Sequence, residues 1–189
     1  MSTIASTHKS PPAVVGMILF ITSEVMFFGG LFTAYFSLRA AEEIWPPDGS
    51  PVPGLLLPGL FTSILVASSV TQHRATATVD PAAARRWLAL TIAMGAVFLG
   101  GQAWEWNQLS GEGLSIASSS FGTSFFTLTG AHGLHVIGGL VMLAGAWVRL
   151  GRTGPAPDPA SRGLLHAVTY YWHFVDVVWL VVFTALYLV

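Results

Sequence analysis

Five side chains able to carry a proton or ligate a metal sit in stretches otherwise apolar enough for a lipid bilayer. Glu24 lies in ITSEVMFF, His132 and His135 in GAHGLHVIGG, and His173 and Asp176 in TYYWHFVDVVWLVVF. Each of the last two pairs is spaced i,i+3, so its members share a helix face. A charged Asp at the centre of a membrane helix costs about 2.5–3.5 kcal/mol on insertion scales. His173 and Asp176 are therefore expected to turn into a bundle and hydrogen-bond there, neutral or paired. Three chemistries suit such a set. The groups can glue helices together. Glu24, held near a His by burial, can take part in a proton-linked role. Two His and carboxylates can hold a metal, and any one of His132, His135 or His173 has the chemistry of an axial haem ligand. Membrane di-metal oxygenases, however, usually need many more His than these helices hold. Gln102 and Glu105, in GGQAWEW, share the i,i+3 spacing near a helix end and read equally as interfacial or functional residues.

The elements that must position these groups follow from composition. The chain has 189 residues, 53% hydrophobic and only 9% charged. A soluble domain carries about 25% charged residues, so the chain is expected to be embedded in a membrane. Its net charge of −1 gives no reason to expect nucleic acid as a partner. The absence of cysteine excludes disulfides, thiolate catalysis and iron–sulfur clusters. The N-terminus lacks a small-residue cleavage site before a polar start, so it is expected to be a retained first helix rather than a signal peptide.

A bilayer core takes about 20 apolar residues per helix. Five segments qualify, approximately 13–38, 55–73, 87–109, 121–148 and 164–188, in a single membrane domain 1–189. The second is the weakest, with Pro58 near its start. Counted from the helix starts at about 1.5 Å per residue, all five polar residues fall within about one turn of the same depth, near the midplane. Three helices can then point them at one another. Lys9, then Arg74, Arg85 and Arg86, then Arg149, Arg152 and Arg162 mark one side. On the other side Arg39 is offset by Glu42, Glu43 and Asp48, and Glu112 follows. The positive-inside rule puts the N-terminus in the cytoplasm and the C-terminus outside. The fold class is thus all-α, a polytopic bundle of five transmembrane helices. Trp45, Trp87, Trp104, Trp106 and Trp147 fall near helix ends, where interfacial aromatics belong. Frequent glycines within the segments suit close helix packing, internally and against a neighbour. Broken helices and internal repeats, the marks of many transporters, are not evident.

Together, SEVMFFGGLF, FLGGQAWEW, FGTSFFTLTGAHGLHVIGG and TYYWHFVDVVWLVV resemble cytochrome c oxidase subunit III, of the haem–copper respiratory oxidases. The resemblance covers all five segments in order. It is to the shorter, five-helix form, which begins where the third helix of the seven-helix form would. The two absent helices put a complete V-shaped phospholipid cleft in doubt, unless a neighbouring subunit supplies the wall. The resemblance implies an accessory chain without a catalytic centre, in a complex that reduces oxygen and moves protons. Its expected roles are to stabilise subunit I, bind structural phospholipid and sustain proton uptake. Haem and copper would lie in partner subunits; subunits I and II and phospholipids are the implied partners, in a bacterial plasma membrane. Glu24, His132, His135, His173 and Asp176 match the family's intramembrane polar positions. Arg149 resembles a lipid-headgroup residue, and reads equally as a positive-inside anchor. His166 departs from the family's frequent Glu and carries no assigned role. A quinol oxidase subunit III is the alternative, and a stand-alone membrane metal enzyme a more remote one.

Overall fold

The computed structural model describes residues 12–152 and 159–188. Lys9 and the middle of the Pro-rich 151–163 linker lie outside them. Within the described residues the chain forms α1 (Pro12–Ala41), α2 (Leu56–Ala77), α3 (Pro81–Gly111), α4 (Ser120–Arg152) and α5 (Pro159–Phe183), and a π-helical turn Thr184–Leu188 continues α5. No strand occurs among them.

Local sequence sets the ends. Asp80 caps α3 by accepting from the Ala82 and Ala83 amides at 3.0 and 3.2 Å, and Pro81 opens the first turn. This is why α3 begins at Pro81, ahead of the apolar stretch that starts near Trp87. At the other end Gly113 adopts a positive φ of 96°. There the Leu114 amide reaches the Leu109 carbonyl and the Gly113 amide the Ser110 carbonyl. This Schellman closure satisfies two of the last carbonyls, and Leu109 and Leu114 are both buried.

Helices α2, α3, α4 and α5 pack in sequence around a core, and α5 closes the ring against α2. Helix α1 lies outside this ring, on α5 and α4. Trp172 and Trp179 of α5 fill the centre, with Phe98, Leu65 and Leu143. Glycines of the neighbouring helices make room for Trp172. A Cβ at Gly95 or Gly139 would lie 2.8 Å from its ring, closer than van der Waals contact allows. In contrast, a Cβ at Gly29, Gly30, Gly100 or Gly145 would meet nothing within 4 Å among the described residues.

Among the described residues four helices are long and apolar enough to cross a membrane: Pro12–Ala41, Pro81–Gly111, Ser120–Arg152 and Pro159–Leu188. Helix α2 is less apolar because of Thr62, Ser68, Thr71 and Gln72, all of which are buried. Its outward side carries Leu56, Leu60, Val66 and Val70. This polar-in, apolar-out pattern reverses that of a surface helix in water. Antiparallel connection gathers Arg74, Arg85, Arg86, Arg149, Arg152 and Arg162 at one end of the bundle. Arg74 lies over Trp87 and Arg85 over Trp147, at 5.0 and 4.2 Å from the ring centroids.

Candidate functional site

The polar residues expected to meet at mid-depth occupy three separate places. On the α1–α4 seam, Glu24 Oε2 lies 2.8 Å from His135 Nε2. His135 Nδ1 lies 2.7 Å from the Ala131 carbonyl. A carbonyl only accepts, so Nδ1 carries a hydrogen. The Glu24 contact then needs a second proton, on Oε2 or on Nε2. The pair is either a neutral acid on a neutral imidazole or a carboxylate on an imidazolium. Phe28 stands edge-on to the His135 ring at 4.8 Å. Both side chains keep some exposure, 16% for His135 and 18% for Glu24, so this site opens to the bundle's exterior.

On the α2–α5 seam, Ser69 connects His173 to Asp176. Its hydroxyl lies 2.8 Å from His173 Nδ1 and donates to Asp176 Oδ2. Asp176 is buried, and its Oδ1 has no hydrogen-bond partner among the described residues. Ser69 is one rung of a longer ladder. Trp179 Nε1 donates to Thr62 at 2.8 Å, and Trp172 Nε1 to Ser68 at 2.9 Å. Gln72 Nε2 donates to Thr169 at 2.9 Å, and the Thr76 and Thr169 hydroxyls meet at 2.7 Å. Antiparallel helices bring these pairs together in broadly reverse order, from Thr62–Trp179 at one end to Thr76–Thr169 at the other.

His132 joins neither site. It is fully buried, and neither ring nitrogen has a hydrogen-bond partner among the described residues. Its ring lies 4.8 Å from that of Trp179 and 5.6 Å, edge-on, from that of Phe98. The i,i+3 spacing separates His132 from His135 by about 60° around α4. That is enough to send one ring into the core and the other towards α1, so the shared set that the spacing suggested is not formed. Among the described residues no group of three or more His, Asp or Glu side chains is placed to hold a metal ion.

Residues 6–189 match the family model described as cytochrome c oxidase subunit III. Over 190 residues the chain is 43% identical to the probable cytochrome c oxidase subunit 3 of Nocardia farcinica, covering 98% of this chain and 92% of that one. It is 41% identical to the corresponding protein of Mycobacterium tuberculosis, over 100% of this chain and 93% of that one. It is 40% identical to cytochrome c oxidase subunit 3 of Thermostichus vulcanus, over 96% and 90%. This chain belongs to the cytochrome c oxidase subunit III family.

Other polar groups of this subunit III chain find partners that its motifs did not announce. Glu105 Oε2 accepts from Tyr187 at 2.7 Å and from Gln102 at 3.1 Å. Both Gln102 and Glu105 are buried, so neither is a solvated interfacial residue. Arg149 is exposed at the basic end, where its Nε donates to Ser161 at 2.9 Å. Sequence reasoning missed α2 as the source of partners. The signal was there: Thr62, Ser69, Gln72 and Thr76 recur at helical spacing on one face.

Proposed function

We propose that this chain is the accessory, non-redox third subunit of an aerobic terminal oxidase in a bacterial plasma membrane. All five helices, α2 included, span the bilayer, with the N-terminus in the cytoplasm and the basic end inside. The chain stabilises the haem–copper subunit I, contacts subunit II and other subunits of the complex, holds phospholipid and sustains proton uptake during oxygen reduction. Haem and copper reside in the partner subunits. The observation that carries this reading is the match of residues 6–189 to the subunit III family. The exterior agrees with it in chemistry: Leu19, Met26, Leu134 and Val141 face outward, while the ladder's hydroxyls and amide face inward. A half-open apolar cleft of about 450 Å³ between α3 and α4, lined by Trp106, Gly130, Gly133 and Leu134 among others, suits an acyl chain. Arg149, at the basic end, suits a lipid phosphate.

The test is purification of the tagged chain from its membrane in mild detergent, read by haem absorbance and mass spectrometry. Co-purification of haem with two larger oxidase subunits is expected. The haem types and the fold of the second subunit then separate cytochrome c from quinol as electron donor. Recovery free of haem, with a stoichiometric metal, would overturn the accessory reading.

A further inference from the structure

Three histidines line one cleft on the α2–α5 face. His73 and His166 are exposed at its rim, and His173 lies half-buried along it. Thr76, Thr169 and Tyr170 add hydroxyls, and the cleft holds about 300 Å³, room for several water molecules. Along α5, His166 precedes His173 by two turns and Asp176 by nearly three. At 1.5 Å per residue this is about 15 Å, half of the roughly 30 Å hydrocarbon thickness. The cleft therefore leads from the basic end towards mid-depth. There the bonds continue through His173 Nδ1 and Ser69 Oγ to Asp176 Oδ2, and Asp176 Oδ1 is buried without a partner among the described residues. Ionisable residues inside a membrane are costly, and chains of His and carboxylate there commonly relay protons.

We propose that the α2–α5 face is a proton-collecting seam, in which His73 and His166 gather protons at the rim and His173 passes them through Ser69 to Asp176. This deepens the proton-uptake role proposed above and rests on that reading for its use to the oxidase. The transfer balances within the seam. Imidazolium at His173 releases its Nδ1 proton to Ser69 Oγ as Ser69 releases its own to the Asp176 carboxylate. Neutral His173 and a carboxylic acid result. That imidazolium forms when a proton from the cleft reaches Nε2 of the Nδ1–H tautomer, and reversal through Ser69 to Nδ1 restores it, so that Nε2–H can return its proton to the rim. Asp176 is thus a store at the end of the file, not a link through the bundle.

Charged groups away from the rim have contacts of their own. From α2, Arg74 lies over Trp87 of α3. Glu24 of α1 is engaged with His135 of α4, and His132 of α4 is enclosed by Trp179 and Phe98. Arg162 and Asp80 border a neighbouring depression that also touches His166.

Infrared difference spectroscopy of the purified complex after a pH jump tests the seam. A protonated-carboxyl band that grows as pH falls and is absent in Asp176→Asn is expected. Ser69→Ala should slow its appearance at least about tenfold, whereas Ser69→Thr, which keeps the hydroxyl, should not. The exposed pair His73→Gln with His166→Gln should slow it without changing its final height. No pH-dependent band assignable to Asp176, or equal rates in wild type and Ser69→Ala, would overturn the seam. The same spectra are taken on whatever particle the tagged chain is recovered in. Missing haem subunits would then sink the oxidase reading alone.

Discussion

The α2–α5 seam and the α1–α4 seam each place a His beside a carboxylate in an apolar setting. On α2–α5 the pair is bridged by Ser69 and flanked by further hydrogen bonds, from Thr62–Trp179 at one end to Thr76–Thr169 at the other. On α1–α4 the contact is direct, between Glu24 and His135, and partly open to the exterior. The helices differ accordingly. Only Val14, Phe28 and Tyr35 of α1 are buried, whereas half of the apolar window of α5 is. In lipid, no hydrophobic driving force holds helices together, so packing and polar contacts must. The comparison teaches that α2 and α5 are fixed by the chain itself. Helix α1 is held at a few points, chiefly Glu24 to His135 and the Tyr35 hydroxyl to the Ala185 carbonyl at 2.5 Å.

The most damaging way to break the tight seam is Trp172→Ala. It empties a fully buried site shaped by Gly95 and Gly139 and removes the donor to Ser68, whose hydroxyl keeps the Leu65 carbonyl. A loss of about 3–5 kcal/mol is expected, measured as the temperature at which the subunit leaves the purified complex. Asp176→Leu is expected to cost less, about 1–2 kcal/mol, because Ser69 keeps His173 as a partner. Unchanged release temperature would show that the Asp176 contact contributes nothing. On the looser seam, Glu24→Gln is expected to cost under about 0.6 kcal/mol, the average for a membrane hydrogen bond. Gln can donate an amide hydrogen to His135 Nε2, so the variant should assemble into its complex at the wild-type level. Failure to assemble, read from the subunit ratio after purification, would show that ionised Glu24 is needed.

How far the sequence could be read depended on which signal each feature left. Long apolar runs marked α1, α3, α4 and α5 plainly, and the family motifs were long enough to assign. Helix α2 was the weakest because its hydroxyl and amide residues lower its mean hydropathy. Those same residues turned out to be the inward rungs, since Ser and Thr are cheap in a membrane helix when they face a partner. Spacing alone put His132 with His135, but the i,i+3 offset is wide enough for two neighbours, and only the packing of Trp179 and Phe98 decides which ring is enclosed. Glu105 was ambiguous for a related reason: its partner Tyr187 lies 82 residues away in the chain. No local pattern announces a contact of that range.

Two double-mutant cycles on the purified complex test the contrast between the seams most directly. One pairs Ser69→Ala with Asp176→Leu, the other Glu24→Leu with His135→Phe, each read from the release temperature of the subunit. The Ser69–Asp176 coupling is predicted to approach about 1.7 kcal/mol, the upper end for membrane hydrogen bonds, and the Glu24–His135 coupling to stay near or below about 0.6 kcal/mol. Equal couplings, or a larger one at Glu24–His135, would contradict the assignment of α2–α5 as the more tightly fixed of the two seams.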